Sequence, residues 1–408
     1  MRSITRLALG ATALASLACS QSADDVASGS RSFRGGDTLI VRTVGAGPWG
    51  PAHTPRIERV VTGLSTTQPF GLLDMIAATP DGGVVVLDRK ASESESLLLF
   101  DSAGSFVRRI GRAGGGPGEY SRNLHMAGHL DVSPLGTIHV LDQTQQRVLV
   151  YDRRGEYLRS LDVRTRSPNN VLVATHDGGV CVSDNPTAQR TTGRAPIRCL
   201  DSLGVVVDSI ADIEPWEPNA ADDVDNVYSS WTVTRDRRVI HHRSDKLGFL
   251  LLEPNAARER TWSVVRLSDF AAKAVRRSRG EMEEERLFAA YAAQGRRQAP
   301  REVPANKPLS GRISTDVNGR VWIARRSKGE VIDPEMKFWS MTATGTPREL
   351  TTSFAEPTHM VVFDSLGTLL GELQFPIRTR VSAVGSVIWA AQITNDGESH
   401  LVKYRLPD

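Results

Sequence analysis

A short phrase, a tight turn followed by a β-branched run, occurs six times along this chain, and that repetition limits the fold more than any other feature. It reads Pro80-Asp81-Gly82-Gly83-Val84-Val85-Val86-Leu87-Asp88, then Pro134-Leu135-Gly136-Thr137-Ile138-His139-Val140-Leu141-Asp142, then His176-Asp177-Gly178-Gly179-Val180-Cys181-Val182-Ser183. Looser copies start at Arg235, Asp316 and Val384. Asp-Gly and Asn-Gly supply the positive φ of a hairpin turn, and Val, Ile and Trp suit the pleated strand after it.

A second phrase follows the first: an apolar strand, an acid, two residues and Gly. Leu98-Leu99-Phe100-Asp101-Ser102-Ala103-Gly104 is one copy; others end at Gly155, Gly204 and Gly367, with a degraded one at Leu250-Leu251-Leu252-Glu253-Pro254-Asn255. A further strand follows each, such as Phe106-Val107-Arg108-Arg109-Ile110. Four antiparallel strands every 40 to 60 residues or so make the blade of a β-propeller. A β-sandwich also has many short strands, but its two turn phrases need not recur in one order. The expected fold is therefore all-β, a six-bladed β-propeller with four-stranded antiparallel blades, spanning 37–408. The last unit lacks an outer strand after Leu401-Val402-Lys403-Tyr404-Arg405-Leu406. Thr38-Leu39-Ile40-Val41-Arg42-Thr43-Val44 has strand composition and no blade before it. It is expected to complete that sheet and close the ring.

With Phe100-Asp101-Ser102-Ala103-Gly104, Ile110-Gly111 and Gly114-Gly115-Gly116-Pro117-Gly118-Glu119-Tyr120 on the page, the chain resembles bacterial six-bladed propellers of NHL-repeat type. The segment Val361-Val362-Phe363-Asp364-Ser365-Leu366-Gly367 fits the same group. Many such proteins are lipoproteins without assigned activity, so the resemblance implies a fold and little about function.

The N-terminus carries an address. Arg2 and Arg6 precede the apolar run Leu7 to Ala18, which ends in Leu14-Ala15-Ser16-Leu17-Ala18-Cys19. That run is short of the roughly 20 residues of a spanning helix, and small residues before Cys resemble a lipobox. Residues 1–19 are read as a lipoprotein signal ending in the lipidated Cys19; the alternative is an ordinary signal peptide with an incidental Cys. Ser20 to Gly36, rich in small and polar residues, reads as a flexible tether. The expected location is exported and lipid-anchored, at the outer membrane or cell surface in a diderm cell.

Hydrophobic residues at 40% and charged ones at 24% suit a globular chain. A net charge of +3 with interspersed signs gives no basic field for a phosphate backbone, so no nucleic acid is expected, and a monomer is. Ser268-Asp269 offers an N-cap to a helix over Phe270 to Gly295, in an insertion at about 268–297 with a weak point at Gly280. Glu281, Glu283, Glu284 and Glu285 read as its solvated face, with Leu287, Phe288 and Tyr291 docking it. A second insertion, about 327–357, holds Phe338-Trp339.

His125 and His129 are four apart, as Zn²⁺ ligands on a helix would be, but no third ligand is identifiable. The acids from Asp208 to Asp225 would suit Ca²⁺ by type and lack its loop spacing. They read as a solvated connection. The glycines at 114, 115, 116 and 118 complete no phosphate-binding pattern, and Asp88 and Asp142 end equivalent strands, which repetition explains. No cofactor is therefore expected, with Ca²⁺ the one kept open.

Cys181 and Cys199 fall in the second and third strands of the third blade, at the positions of Val85 and Leu99 in the first blade and of His139 and Val150 in the second. Opposed residues in a non-hydrogen-bonded pair lie about 4.5 Å apart, within disulfide range, and an exported protein meets an oxidising compartment. A disulfide is expected; the alternative is two thiols packed between blades. The functional expectation is a membrane-tethered binding module for an unknown protein or small-molecule partner. Its rival is a Ca²⁺- or Zn²⁺-dependent hydrolase, lactonase or lyase working in the central channel.

Overall fold

The turns form because their residues satisfy the backbone locally. In the first copy Thr79 N–H donates to Gly83 O at 2.9 Å and Gly82 N–H to Thr79 O at 2.9 Å, with Gly82 at φ +85°. The equivalent place in the fourth copy holds Arg237 at φ +68°, a strained conformation for a residue with a Cβ. The second phrase works through its acid: Asp101 Oδ1 accepts N–H groups of Ala103 and Ser105 at 2.9 and 2.8 Å, and Asp152, Asp201 and Asp364 repeat the pattern.

These turns join the strands into six blades in a computed structural model that describes residues 29–35, 38–44, 46–50, 53–65, 68–89, 95–163, 172–183, 197–210, 229–244, 247–254, 262–270, 274–296, 302–341, 347–394 and 396–407. Blade 1 is Leu72–Ala78, Val84–Arg89, Ser96–Phe100 and Phe106–Ile110. Blade 2 runs from Gly128–Val132 to Tyr157–Asp162, and blade 3 from Leu172–Ala174 to Val206–Ile210. Blade 4 is Ser229–Val233, Val239–Arg243, Leu247–Pro254 and Trp262–Phe270. Blade 5 pairs Ser310–Thr315, Val321–Arg325, Pro357–Phe363 and Leu369–Ile377.

Blade 6 closes the ring, but not with the expected strand. Thr379–Val384, Val387–Ile393 and Ser399–Arg405 come from the C-terminus, and the fourth strand is Arg56–Val61, with Val60 opposite Val402. Thr38–Val44 instead pairs in parallel with Trp262–Phe270 on the outer edge of blade 4, and Gly29–Gly35 pairs antiparallel with it. The segment read as tether thus contains a strand from Gly29. Both N-terminal runs have strand composition, and Arg56–Val61, interrupted by three charged residues and exposed along most of its length, carries the weaker strand signal.

Apolar packing lies between the blades. Six buried clusters cover the six interfaces. One of them joins Trp389, Ala391 and Leu401 of blade 6 to Val84, Val86, Leu98 and Phe100 of blade 1. A blade sheet is thus covered on both faces by its neighbours, which is why its second and third strands read as continuous apolar runs. In blade 3, Cys181 stands opposite Cys199, as Val85 does to Leu99 and His139 to Val150. The two cysteines are joined in a disulfide with Cα atoms 4.0 Å apart.

The insertions depart from expectation in detail. Residues through Phe270 belong to blade 4, and the helix is Arg279–Arg296. Its start is set by Ser278 and Glu281 rather than Ser268: Ser278 N–H donates to Glu281 Oε2 at 2.8 Å and Glu281 N–H to Ser278 Oγ at 3.3 Å, a reciprocal capping box. Gly280 lets the Phe354 ring approach, since a Cβ there would lie 2.4 Å from Phe354 Cζ. The second insertion is a hairpin of Glu330–Met341 and Pro347–Ala355.

Closure by Arg56–Val61 separates two truncations. Deletion through Ala52 should retain a cooperative melt, whereas deletion through Val61 should lower Tm by roughly 10 °C or more, because it bares the edge of blade 6. Equal melting of the two would contradict this closure.

Candidate functional site

Alternating strands put the first-to-second and third-to-fourth turns of every blade on one face, here the turn face. The second-to-third and inter-blade connections lie on the other, the loop face. Both insertions enter on the loop face, beside blades 5 and 6.

At the turn face Arg235 ties blades 2, 3, 4 and 5 together. Its guanidinium forms a two-pronged pair with Asp131 of blade 2, with Nη2 to Oδ1 at 2.9 Å. It also donates to Ala174 O of blade 3 at 2.8 Å and reaches Asp316 O of blade 5 at the long limit of 3.5 Å. Asp131 accepts Ala174 N–H at 2.8 Å. The Arg235 side chain is 4% exposed.

At the loop-face end the first strands of blades 6, 1, 2 and 5 bring in Arg380, Asp74, His129 and Arg312. Arg380 donates to Asp74 O at 3.0 Å and pairs with its carboxylate, which also takes Arg89 Nη1 at 3.2 Å. Between the inner strands of blades 5 and 6, the helix and the hairpin lies a cavity of about 720 Å³. Arg312, Arg325, Arg380, His359, Phe288 and Phe354 are among its walls.

A buried charge network fixes the outer wall. Lys307, 4% exposed, binds Glu281 of the helix, Glu356 Oε1 at 3.0 Å and Ser327 O at 2.7 Å. Arg326 Nε lies 3.1 Å from both oxygens of Glu356, and Gly329 N–H donates to Glu281 Oε1 at 2.8 Å. Burial opposes ionisation of Glu281, but the Lys307 ammonium and the Ser278 and Gly329 donors outweigh it and hold the carboxyl at about 2. Glu284 accepts Ser353 N–H at 2.7 Å. The acidic run is thus only partly a solvated face: charge docks the helix, with Phe288 half-buried and Leu287 exposed.

The histidines named from the sequence are not brought into a metal set. His125 lies on a single helical turn, Leu124–Ala127, and pairs with the buried Glu95. His129 lies in the next strand, where burial and the nearby Arg312 cation lower its pKa to about 4. A fixed cation beside His129 opposes a second one there. Among the described residues no three His, Cys, Asp or Glu side chains gather as metal ligands. Asp88 and Asp142 hold the incoming inter-blade chain through Gly71 N–H and Ser121 N–H, each at 2.7 Å. The glycine run is pinned rather than loose: Gln145 donates to Gly114 O at 2.6 Å and Arg147 to Gly116 O at 3.0 Å. Asp208 falls on the outer strand of blade 3, while the acids from 212 to 225, Cys19, and the side chains of Tyr291, Phe338 and Trp339 lie outside the described residues.

Sequence reasoning missed Arg235, Arg312, Lys307 and Arg380. Signals existed for two of them. Arg235 stands where other turn phrases have Pro or His, and Arg312 is a charge inside an inner strand.

Residues 66–177 match the DUF5128 family model, a 6-bladed beta-propeller. That stretch covers blades 1 and 2 and enters blade 3. The chain is a six-bladed β-propeller. No curated protein matches it. Among solved structures it is similar to a member of the duf4221 family from Bacteroides vulgatus, at 12% identity and TM-score 0.46 over 86% of this chain and 97% of that one. A Bacteroides fragilis protein provisionally named as exported matches at 12% identity and TM-score 0.45, over 88% and 99%. Virginiamycin B lyase from Staphylococcus aureus matches at 12% and 0.41, over 86% and 99%. These are likenesses of fold.

The Glu281 carboxyl, being held below its ordinary 4.5, stabilises the docked helix fully above about pH 4.5, and that contribution is lost as pH falls toward 2. Hydrogen exchange of the helix amides should therefore accelerate on acidification through this window. In Glu281→Gln it should be fast at neutral pH as well, by a penalty of roughly 3 kcal/mol for stranding part of the Lys307 charge. Unchanged protection in the variant would refute docking by this pair.

Proposed function

We propose that this chain is an exported, lipid-anchored binding propeller that holds a small ligand in the loop-face cavity between blades 5 and 6. The observation that carries the reading is the cavity itself. Its volume of about 720 Å³ falls in the range of small-molecule sites, and it combines two aromatic walls with a few placed charges. The Lys307 network prearranges its outer wall, so little ordering remains to oppose binding. The signal-like N-terminus ending in Cys19 supports export and anchoring.

Binding is preferred to metal-assisted catalysis because the inner-strand carboxylates are already matched by protein cations. Asp74 is held by Arg380 and Arg89, and Asp131 by Arg235. A Ca²⁺ or Zn²⁺ ion there would have to displace arginines that are hydrogen-bonded in place.

A ligand-observed NMR screen of small aromatic fragments against the full chain carrying Cys19→Ser tests the reading. Fragments should bind the parent and lose about tenfold in affinity when Ala355→Trp fills the cavity. Equal binding by the filled variant, or none by the parent, would overturn it. In cells, Cys19→Ser should move the protein from the membrane to the soluble fraction; a wild type that carries no acyl label would contradict the anchor.

A further inference from the structure

Nearly every charge on the cavity wall is internally matched. Lys307 and Arg326 meet Glu281 and Glu356, Arg325 meets Glu372, and Arg380 meets Asp74. Arg277 is spent on the carbonyls of Pro304 and Asn306, at 2.8 and 2.6 Å. Arg312 differs. It projects from the inner strand of blade 5, remains exposed, and has no hydrogen-bond or ion-pair partner among the described residues. Its charge is felt by His129 of blade 2, three blades away around the ring, so it acts across the channel mouth.

A second feature shares the cavity: Phe288 and Phe354 add apolar surface to the same space. An unmatched cation beside apolar walls is the complement of a ligand that carries acceptors on an apolar body. On the helix wall Glu285 is a carboxylate without a partner among the described residues, so a ligand with further negative charge meets a like charge in the same cavity.

We infer that the cavity binds a monoanionic carboxylate with an apolar body, the carboxylate at Arg312 and the body against Phe288 and Phe354. This rests on the cavity being a ligand site, and adds the class of ligand. The planar guanidinium fork matches a carboxylate in two-pronged fashion, which an ammonium does not. Glu285 sets the discrimination, because a dianion would meet repulsion that a monoanion with an uncharged body escapes. A free aromatic acid and the C-terminus of a peptide both carry such a carboxylate, and the two are separable by experiment.

Isothermal titration of the full chain carrying Cys19→Ser with benzoate, benzamide, phenyl phosphate and the tripeptide Ala-Ala-Phe tests the inference. Benzoate should bind at least about tenfold tighter than benzamide and than phenyl phosphate. Arg312→Gln should lose that advantage while keeping the parent's melting temperature, since Arg312 has no partner whose loss would unfold the protein. Arg312→Lys should retain part of it, and Glu285→Gln should admit phenyl phosphate. Tighter binding of Ala-Ala-Phe than of benzoate, abolished by C-terminal amidation, would identify a peptide terminus as the source; the reverse order would identify a free acid. Equal affinity for benzoate and benzamide would overturn the carboxylate inference and leave the binding reading intact. Benzoate binding unchanged in Arg312→Gln would overturn the assignment to Arg312. Failure of all four probes, together with an empty fragment screen, would overturn both.

Discussion

A guanidinium buried at the base of the channel is the constraint on which the ring depends. Taking Arg235 out of water is costly unless its donors and its charge are matched, and no single blade can match them. Asp131 comes from blade 2, the Ala174 carbonyl from blade 3 and the Asp316 carbonyl from blade 5, while Arg235 itself sits in the turn of blade 4. Only when these blades are in register is the charge satisfied, so the contact specifies an arrangement more than it supplies net stability. It also explains why the fourth turn phrase is degenerate. The residue needed for the lock, and the strained Arg237 two positions on, have displaced the Pro and Gly of a plain turn.

On the same face blades 6 and 1 are joined differently, by apolar packing, by Trp389 Nε1 donating to Gly82 O at 2.9 Å and by Ser382 Oγ accepting Ala78 N–H at 2.9 Å. The loop-face mouth is framed by two insertions, and the buried pair of Lys307 and Glu281 holds the helix as the side wall of the cavity there. Charge does two jobs in this molecule. Where it is fully matched, at Arg235 and Lys307, it fixes geometry; where it is unmatched among the described residues, at Arg312, it is the charge that the proposed ligand site uses.

The blades were legible because most of them repeat the same local chemistry. An acid that accepts two N–H groups and a Gly with positive φ make a turn wherever they occur, and the sequence carries them in order. The cysteine pairing was legible for the same reason, since register in one blade transfers to the next. Closure was not. Thr38–Val44 and Arg56–Val61 both have strand composition, and the choice between them depends on packing against Ser399–Arg405, which is more than three hundred residues away. The helix start is ambiguous in sequence, because Ser268-Asp269 and the capping-box pair Ser278 and Glu281 both offer a cap, and only the second is used. The cavity was illegible for a deeper reason: its walls come from blades 5 and 6 and both insertions, and residues as far apart in sequence as Phe288, Arg312 and Arg380 meet only in the folded chain.

A double-mutant cycle on Arg235 and Asp131 tests most directly that one charge contact sets the ring. Unfolding of Arg235→Met, Asp131→Asn and the double variant would be followed by denaturant titration. Each single change strands a buried charge and should cost roughly 3 to 5 kcal/mol, while the double should cost little more than either, giving a coupling of about 2 kcal/mol or more. Additive losses, within about 0.5 kcal/mol, would show that the two residues act independently and would contradict the account.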